Sequence, residues 1–161
     1  MTLLLRFIVV SALVAVGCAK APPGPPPLTI AAAPGASRAP MTMAASADVN
    51  PDPSGRPSPI VVRVYQLRTD AAFSNAEFFA LFDDEQKVLG QELISRDEFM
   101  LAPAEKRTLD VALSGETRFV GVVAAFRDIR NAQWRSVLPA PRGGLTVSID
   151  RARVVLAPAA K

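Results

Sequence analysis

RFVGVVAAF, residues 118–126, carries no polar side chain after Arg118. A strand with one wet face alternates apolar and polar residues, so an unbroken run of this length reads as a central strand covered on both sides. Its neighbours do alternate. In LDVAL (109–113), Leu109, Val111 and Leu113 are separated by Asp110 and Ala112, and in LTVSI (145–149), Leu145, Val147 and Ile149 are separated by Thr146 and Ser148. That is the period of two that puts one strand face in a core and the other in solvent. PIVVRVYQL (59–67) and ARVVLA (152–157) are also short, β-branched and bounded by turn residues. The expectation is a mainly β domain of two packed sheets.

One helical segment interrupts the strands. Ser74 and Glu77 have the spacing of a capping box, and Ala76, Phe79 and Phe82 then share a face, with Phe78 and Leu81 beside it. The spacing predicts a helix over 75–82 that stops at Asp83-Asp84. Four of the eight Phe residues (73, 78, 79 and 82) lie here. They are expected to close one end of the core or cover a sheet edge.

The beginning of the chain has a different character. Arg6 is followed by FIVVSALVAVG (7–17), eleven residues that would span ~16 Å as a helix. That is about half of a ~30 Å hydrocarbon core and too short for a membrane span. A basic start, a short apolar stretch and small residues at its boundary instead describe an export signal, residues 1–17. Cys18 is the only cysteine, so no disulfide within the chain can hold the exported domain and its hydrophobic core must do so. APPGPPP (21–27) follows it and gives the thiol no packed element to enter.

Ala15-Val16-Gly17-Cys18 resembles the lipobox of bacterial lipoproteins, departing from it at Ala15, where Leu is usual. The resemblance implies a diacylglyceryl group on the Cys18 sulfur, cleavage just before it and acylation of the new amine. A single acyl chain gives marginal binding of about 10⁴ M⁻¹, so two or three make the anchor effectively permanent. Ala19 stands where Asp commonly retains such proteins in the inner membrane, which implies the periplasmic face of the outer membrane. Residues 19–40 hold seven prolines and no aromatic residue, too little apolar surface to offset ordering. With Cys18 they read as a tether (18–40) that reaches ~70 Å as polyproline II or ~25 Å as a coil. An edge strand at PLTIAAA (27–33) is the other reading of part of it.

ADVNPDPSGRPSPIVVRVYQL, AFSNAEFFALF, LISRDEFMLAP, TRFVGVVAAFRDI and AQWR occur in that order over residues 41–156. Together they resemble the TssJ family, the lipoproteins of bacterial type VI secretion. The resemblance implies a transthyretin-like β-sandwich with a small helical insertion over residues 41–161. It also implies a role in assembly: binding the periplasmic C-terminal region of the inner-membrane protein TssM, and through it meeting TssL. In the family a loop between the first two strands is a main contact. With a first strand near TMAASADV (42–49), that loop here is residues 50–59, which makes Asn50, Asp52, Ser54, Gly55 and Arg56 the candidate partner-binding residues. Pro51, Pro53, Pro57 and Pro59 limit what such a loop loses in entropy on binding. Asp52 and Arg56 offer charge pairs, and Gly55 a tight turn. Local Asx-turns at Asn50 and Asp52 and a solvated Arg56 are the plainer reading of the same residues.

Other classes fit poorly. The chain has no His, which removes Ser-His-Asp and Cys-His machinery and the commonest metal ligand. Asp83, Asp84 and Glu85, and Asp97 with Glu98, are the remaining acids for glycosidic chemistry, which needs carboxylates facing each other at ~5–9 Å. As sequence neighbours they read as a helix end and a surface turn near Arg96 and Arg107. No cofactor or metal motif is present in the sequence. Without Arg6, 17 basic and 15 acidic residues (18 − 1 against 15) alternate in sign, which argues against nucleic acid as a partner. FRDIRNAQWR (126–135) reads as a connection whose Trp134 covers the core edge, with a second contact surface as the other possibility. The functional alternative to an assembly lipoprotein is a lipid-anchored sandwich that binds a small ligand or envelope polymer in an apolar pocket.

Overall fold

A computed structural model describes residues 36–159. The signal-like start, Cys18 and the tether as far as residue 35, including PLTIAAA, lie outside the described residues. Eight strands, β1 (Ser37–Ala45), β2 (Ile60–Leu67), β3 (Leu93–Leu101), β4 (Lys106–Leu113), β5 (Phe119–Ala124), β6 (Arg135–Pro139), β7 (Leu145–Ile149) and β8 (Val154–Pro158), form two four-stranded sheets. One has the order β4-β1-β7-β8 and the other β3-β2-β5-β6. All neighbouring pairs are antiparallel except β1 with β7.

The inner faces follow the alternation in the sequence. Met41, Met43, Val62, Val64, Val111, Val120, Val122, Val147 and Ile149 fill the space between the sheets. β5 lies between β2 and β6, and its outer face is covered as well, which accounts for the missing alternation in 119–124. The cover is the insertion between β2 and β3. Its Phe73, Phe78, Leu81 and Leu89 form a second core with Tyr65, Leu67 and Val123 on the outward face of the sheet.

Three differences from the sequence-based expectation have local causes. First, β1 runs over 37–45 instead of 42–49, so the sheet begins inside the segment assigned to the tether. Pro40 pairs with Asp110 of β4, but β7 joins β1 only from Met41 onward, so the proline sits where β1 has β4 alone beside it.

Second, the single helix over 75–82 is replaced by α1 (Ala71–Asn75), α2 (Phe78–Asp83) and α3 (Glu85–Leu89), followed by a 3₁₀ turn (Gly90–Glu92). Ala76 and Glu77 are extended, and the capping box is not made. In one continuous helix Phe73 and Phe78 would project about 140° apart. The break lets both enter the second core. Arg135 fills the gap by donating to the carbonyls of Phe73 and Ala76, which the end of α1 leaves without partners. The cap that does form is Asp84, whose carboxylate accepts from the Lys87 N–H at 3.1 Å.

Third, Asp97 and Glu98 are not in a turn. They lie in the edge strand β3, opposite Val64 and Arg63 of β2.

The two flanks of the sandwich differ. On one, β8 reaches β6 through Leu156 N–H donating to Ser136 Oγ at 3.1 Å, and the residues just before the two strands are joined by the Gln133–Arg153 bridge. On the other, Gln66 spans from β2 to β4 and beyond: its amide Nε2 donates to Ala112 O at 2.9 Å, while Oε1 accepts from Ser114 N at 2.9 Å and Thr117 Oγ1 at 2.8 Å.

Candidate functional site

The chain between β1 and β2 emerges at the same end of the sandwich as the β5–β6 connection and the β7–β8 turn. Asn50 fastens it there. Its φ of 48° is in the left-handed region, which Asn tolerates better than most residues. The side chain is buried: Nδ2 donates to Pro59 O at 2.9 Å and Oδ1 accepts from Arg127 N at 2.8 Å. Its backbone N–H donates to Arg151 O at 3.2 Å. One residue thus ties the loop to both neighbouring connections.

Above this anchor the loop closes on itself. Asp52 Oδ1 accepts from the N–H groups of Ser54 (2.8 Å) and Arg56 (3.0 Å), and Oδ2 accepts from Arg56 Nε (2.8 Å) and Nη2 (2.8 Å). Asp52 N donates to Arg56 O and Gly55 N to Asp52 O, both at 2.8 Å, with Gly55 at φ 81°. The Arg56 backbone bond leads the effects that hold the Asp52 carboxyl below its ordinary value. Partial burial opposes it, while the Arg56 side chain, the Ser54 N–H and the Arg127 charge add to it. The outcome is a rigid tip presenting Ser54, Gly55 and Arg56, whose side chain is 81% exposed against 15% for Asp52.

The five expected residues therefore divide. Asn50 is inside and positions the loop, Asp52 organises it, and Ser54, Gly55 and Arg56 face solvent. Of the loop's neighbours, the sequence reading offered residues 126–135 as a possible second contact surface, and it did not single out Arg151 or Ala152. A cleft of about 420 Å³ lies beside the loop, between Asn50–Pro53, Phe126–Asp128 and Arg151–Ala152. Its only signal in the sequence was the arginine-rich FRDIR.

Of the acids considered for catalysis, Glu85 and Glu98 serve as fasteners, and Asp84 caps α3. Glu85 pairs with Arg63 (3.3 Å) and Arg96 (2.7 Å), and Glu98 pairs with the same two arginines at 2.7 and 2.9 Å. Arg107 pairs with Glu105, not with the β3 acids. Arg63 also donates to Phe82 O at 2.6 Å and stacks 3.7 Å from the Phe82 ring, so this network locks the insertion onto β2 and β3. Among the described residues no three acids, cysteines or histidines are grouped to hold a metal. Trp134 is half-buried, edge-on to Phe78 at 5.2 Å.

Residues 37–158 match the family described as type VI secretion lipoprotein (VasD, EvfM, TssJ). The chain belongs to the TssJ family. Solved structures agree. TssJ1, the type VI secretion lipoprotein of Pseudomonas aeruginosa, is similar at 35% identity and a TM-score of 0.74, over 78% of this chain and 98% of that one. Serratia marcescens Lip, described as a membrane-bound component of the type VI secretion system, is similar at 29% identity and a TM-score of 0.69, over 78% and 98%. A chain in the structure described as the TssM C-terminal domain from EAEC is similar at 26% identity and a TM-score of 0.64, over 76% and 98%. No curated protein sequence matches. Family membership makes the β-sandwich a TssJ sandwich.

Proposed function

We propose that this TssJ-family lipoprotein is an assembly subunit of the type VI secretion envelope complex, anchored through acylated Cys18 at the periplasmic face of the outer membrane. It binds the periplasmic C-terminal region of a TssM-like inner-membrane protein through the β1–β2 loop, and is thereby linked to TssL. The observation that carries the site is the preorganised tip: four donors within the loop hold Asp52, so Ser54, Gly55 and Arg56 are presented with little entropy left to lose. The partner is supported by the similarity to a chain in a structure whose subject is a TssM C-terminal domain. The anchor is supported by the lipobox-like sequence and by the description of Lip as membrane bound.

Calorimetry of the full chain with the periplasmic region of the TssM-like partner tests this. Binding that Arg56→Ala weakens about tenfold, 1.4 kcal/mol, supports the loop. Unchanged binding moves the contact elsewhere, and no binding by the unaltered chain removes the assembly role. Cys18→Ser is expected to abolish acyl labelling and outer-membrane fractionation, and continued membrane residence would count against the anchor.

A further inference from the structure

The cleft beside the loop has an imbalance in its hydrogen bonding. Both of its carboxylates are occupied: Asp52 by four donors of its own loop, and Asp128 by the Asn131 amide at 3.0 and 2.9 Å. Its guanidiniums are not. Among the described residues the exposed Arg127 side chain makes no ion pair or hydrogen bond, and Arg151 has only a 3.9 Å approach to Asp48, too long for a hydrogen bond. Two planar donor forks therefore flank a cleft with buried Phe126 at its base and Pro51 and Pro53 on one wall. The walls are also fixed relative to each other, because Asn50 bonds to the backbones of both Arg127 and Arg151.

We propose that this cleft receives a carboxylate-bearing segment of the protein partner, with Arg127 and Arg151 as paired guanidinium clamps and the proline wall taking the adjoining apolar side chain. The inference rests on the partner-binding reading above and extends its surface from one loop to three. A guanidinium fork matches a carboxylate in two parallel hydrogen bonds, which an ammonium cannot reproduce. Charge pairs of this kind also steer encounter and make affinity depend on salt.

The test uses the full chain and the periplasmic region of the TssM-like partner as the probe, by calorimetry at low and high salt. Arg127→Gln/Arg151→Gln is expected to weaken binding about tenfold or more at low salt and to flatten the salt dependence. Arg127→Lys/Arg151→Lys, which keeps the charge and loses the forks, is expected to recover only part of the loss. An unchanged melting temperature in both variants shows that the fold is intact. Should the unaltered chain bind while the glutamine variant matches it at both salts, the cleft inference is overturned and the loop reading stands. Should the unaltered chain fail to bind, the partner reading fails and takes this inference with it.

Discussion

The ring of Phe73 lies on the backbone of Gly121, so close that a Cβ at Gly121 would stand 2.7 Å from Phe73 Cζ. Gly121 is opposite Tyr65 in the β2–β5 ladder, and the Tyr65 and Phe73 rings are 5.5 Å apart, so the glycine makes the recess into which the insertion docks. Gly121→Ala is expected to destabilise the domain by about 1–3 kcal/mol through overpacking. In a Phe73→Leu background the same change should cost clearly less. Urea unfolding of the four proteins measures this, and additive losses would mean that the contact is not the cause.

Tyr65 is the converse case. Its hydroxyl is buried with no hydrogen bond of sound geometry, and burial pushes its pKa up against the opposing pull of the nearby Arg63 guanidinium. Since an unsatisfied buried hydroxyl costs free energy, Tyr65→Phe is expected to be neutral or to stabilise by up to about 1 kcal/mol. A loss beyond that in thermal unfolding would reveal a bond the hydroxyl makes.

Gln66 is buried and bonded through both amide atoms, to Ala112, Ser114 and Thr117. Gln66→Leu keeps the volume and strands those three partners, at an expected cost of about 1–3 kcal/mol. Amide exchange should rise first in β4. Protection lost uniformly across both sheets would argue against a local staple.

The Arg63–Glu98 contact makes attachment of the insertion depend on acid. The Arg63 side-chain hydrogen bond is the main cause holding the Glu98 carboxyl below its ordinary 4.5, and the Arg96 charge adds to it. A carboxyl depressed in the folded state contributes its full stability above pH 4.5 and loses it as pH falls towards the folded value. The melting-temperature gap between the unaltered chain and Glu98→Gln should therefore be constant from pH 7 to about pH 5 and close below that. A gap that persists at pH 3 would assign the effect to packing.

Much of the sandwich was legible because burial on one face leaves a period of two. Val111, Leu113, Leu145, Val147 and Ile149 all point inward as their spacing requires. β3 was hidden because an edge strand can carry Arg96-Asp97-Glu98 in its middle, where the pairing is to Arg63 and Glu85 instead of to a core. β1 was misplaced because Ala39 and Pro40 have little intrinsic strand preference, and only the β4 partner makes them a strand. The helix was overextended because the capping-box spacing was local, whereas the demand that Phe73 and Phe78 face one sheet was tertiary. At the site, the Asp52–Arg56 turn could be read from proline, glycine and Asx chemistry. Arg127 was legible only as part of the possible contact surface at 126–135, and Arg151 not at all, since they reach the cleft through the antiparallel return of β5 and the β7–β8 turn.

β1 also sets how the domain would carry a mechanical load. Under the proposed anchoring through Cys18, the acylated end would enter this strand at Ser37, and the loop cluster lies beyond Ala45 at the strand's opposite end. A pull between an anchored N-terminus and a docked partner acts along the ~30 Å of β1. β1 is flanked by β4 over Ser37–Ala44 and by β7 over Met41–Ala45. Such a pull loads the hydrogen bonds on both sides in shear, many at once, instead of peeling them one by one. With the chain anchored as proposed, β1 is thereby the strand placed to transmit tension without coming undone.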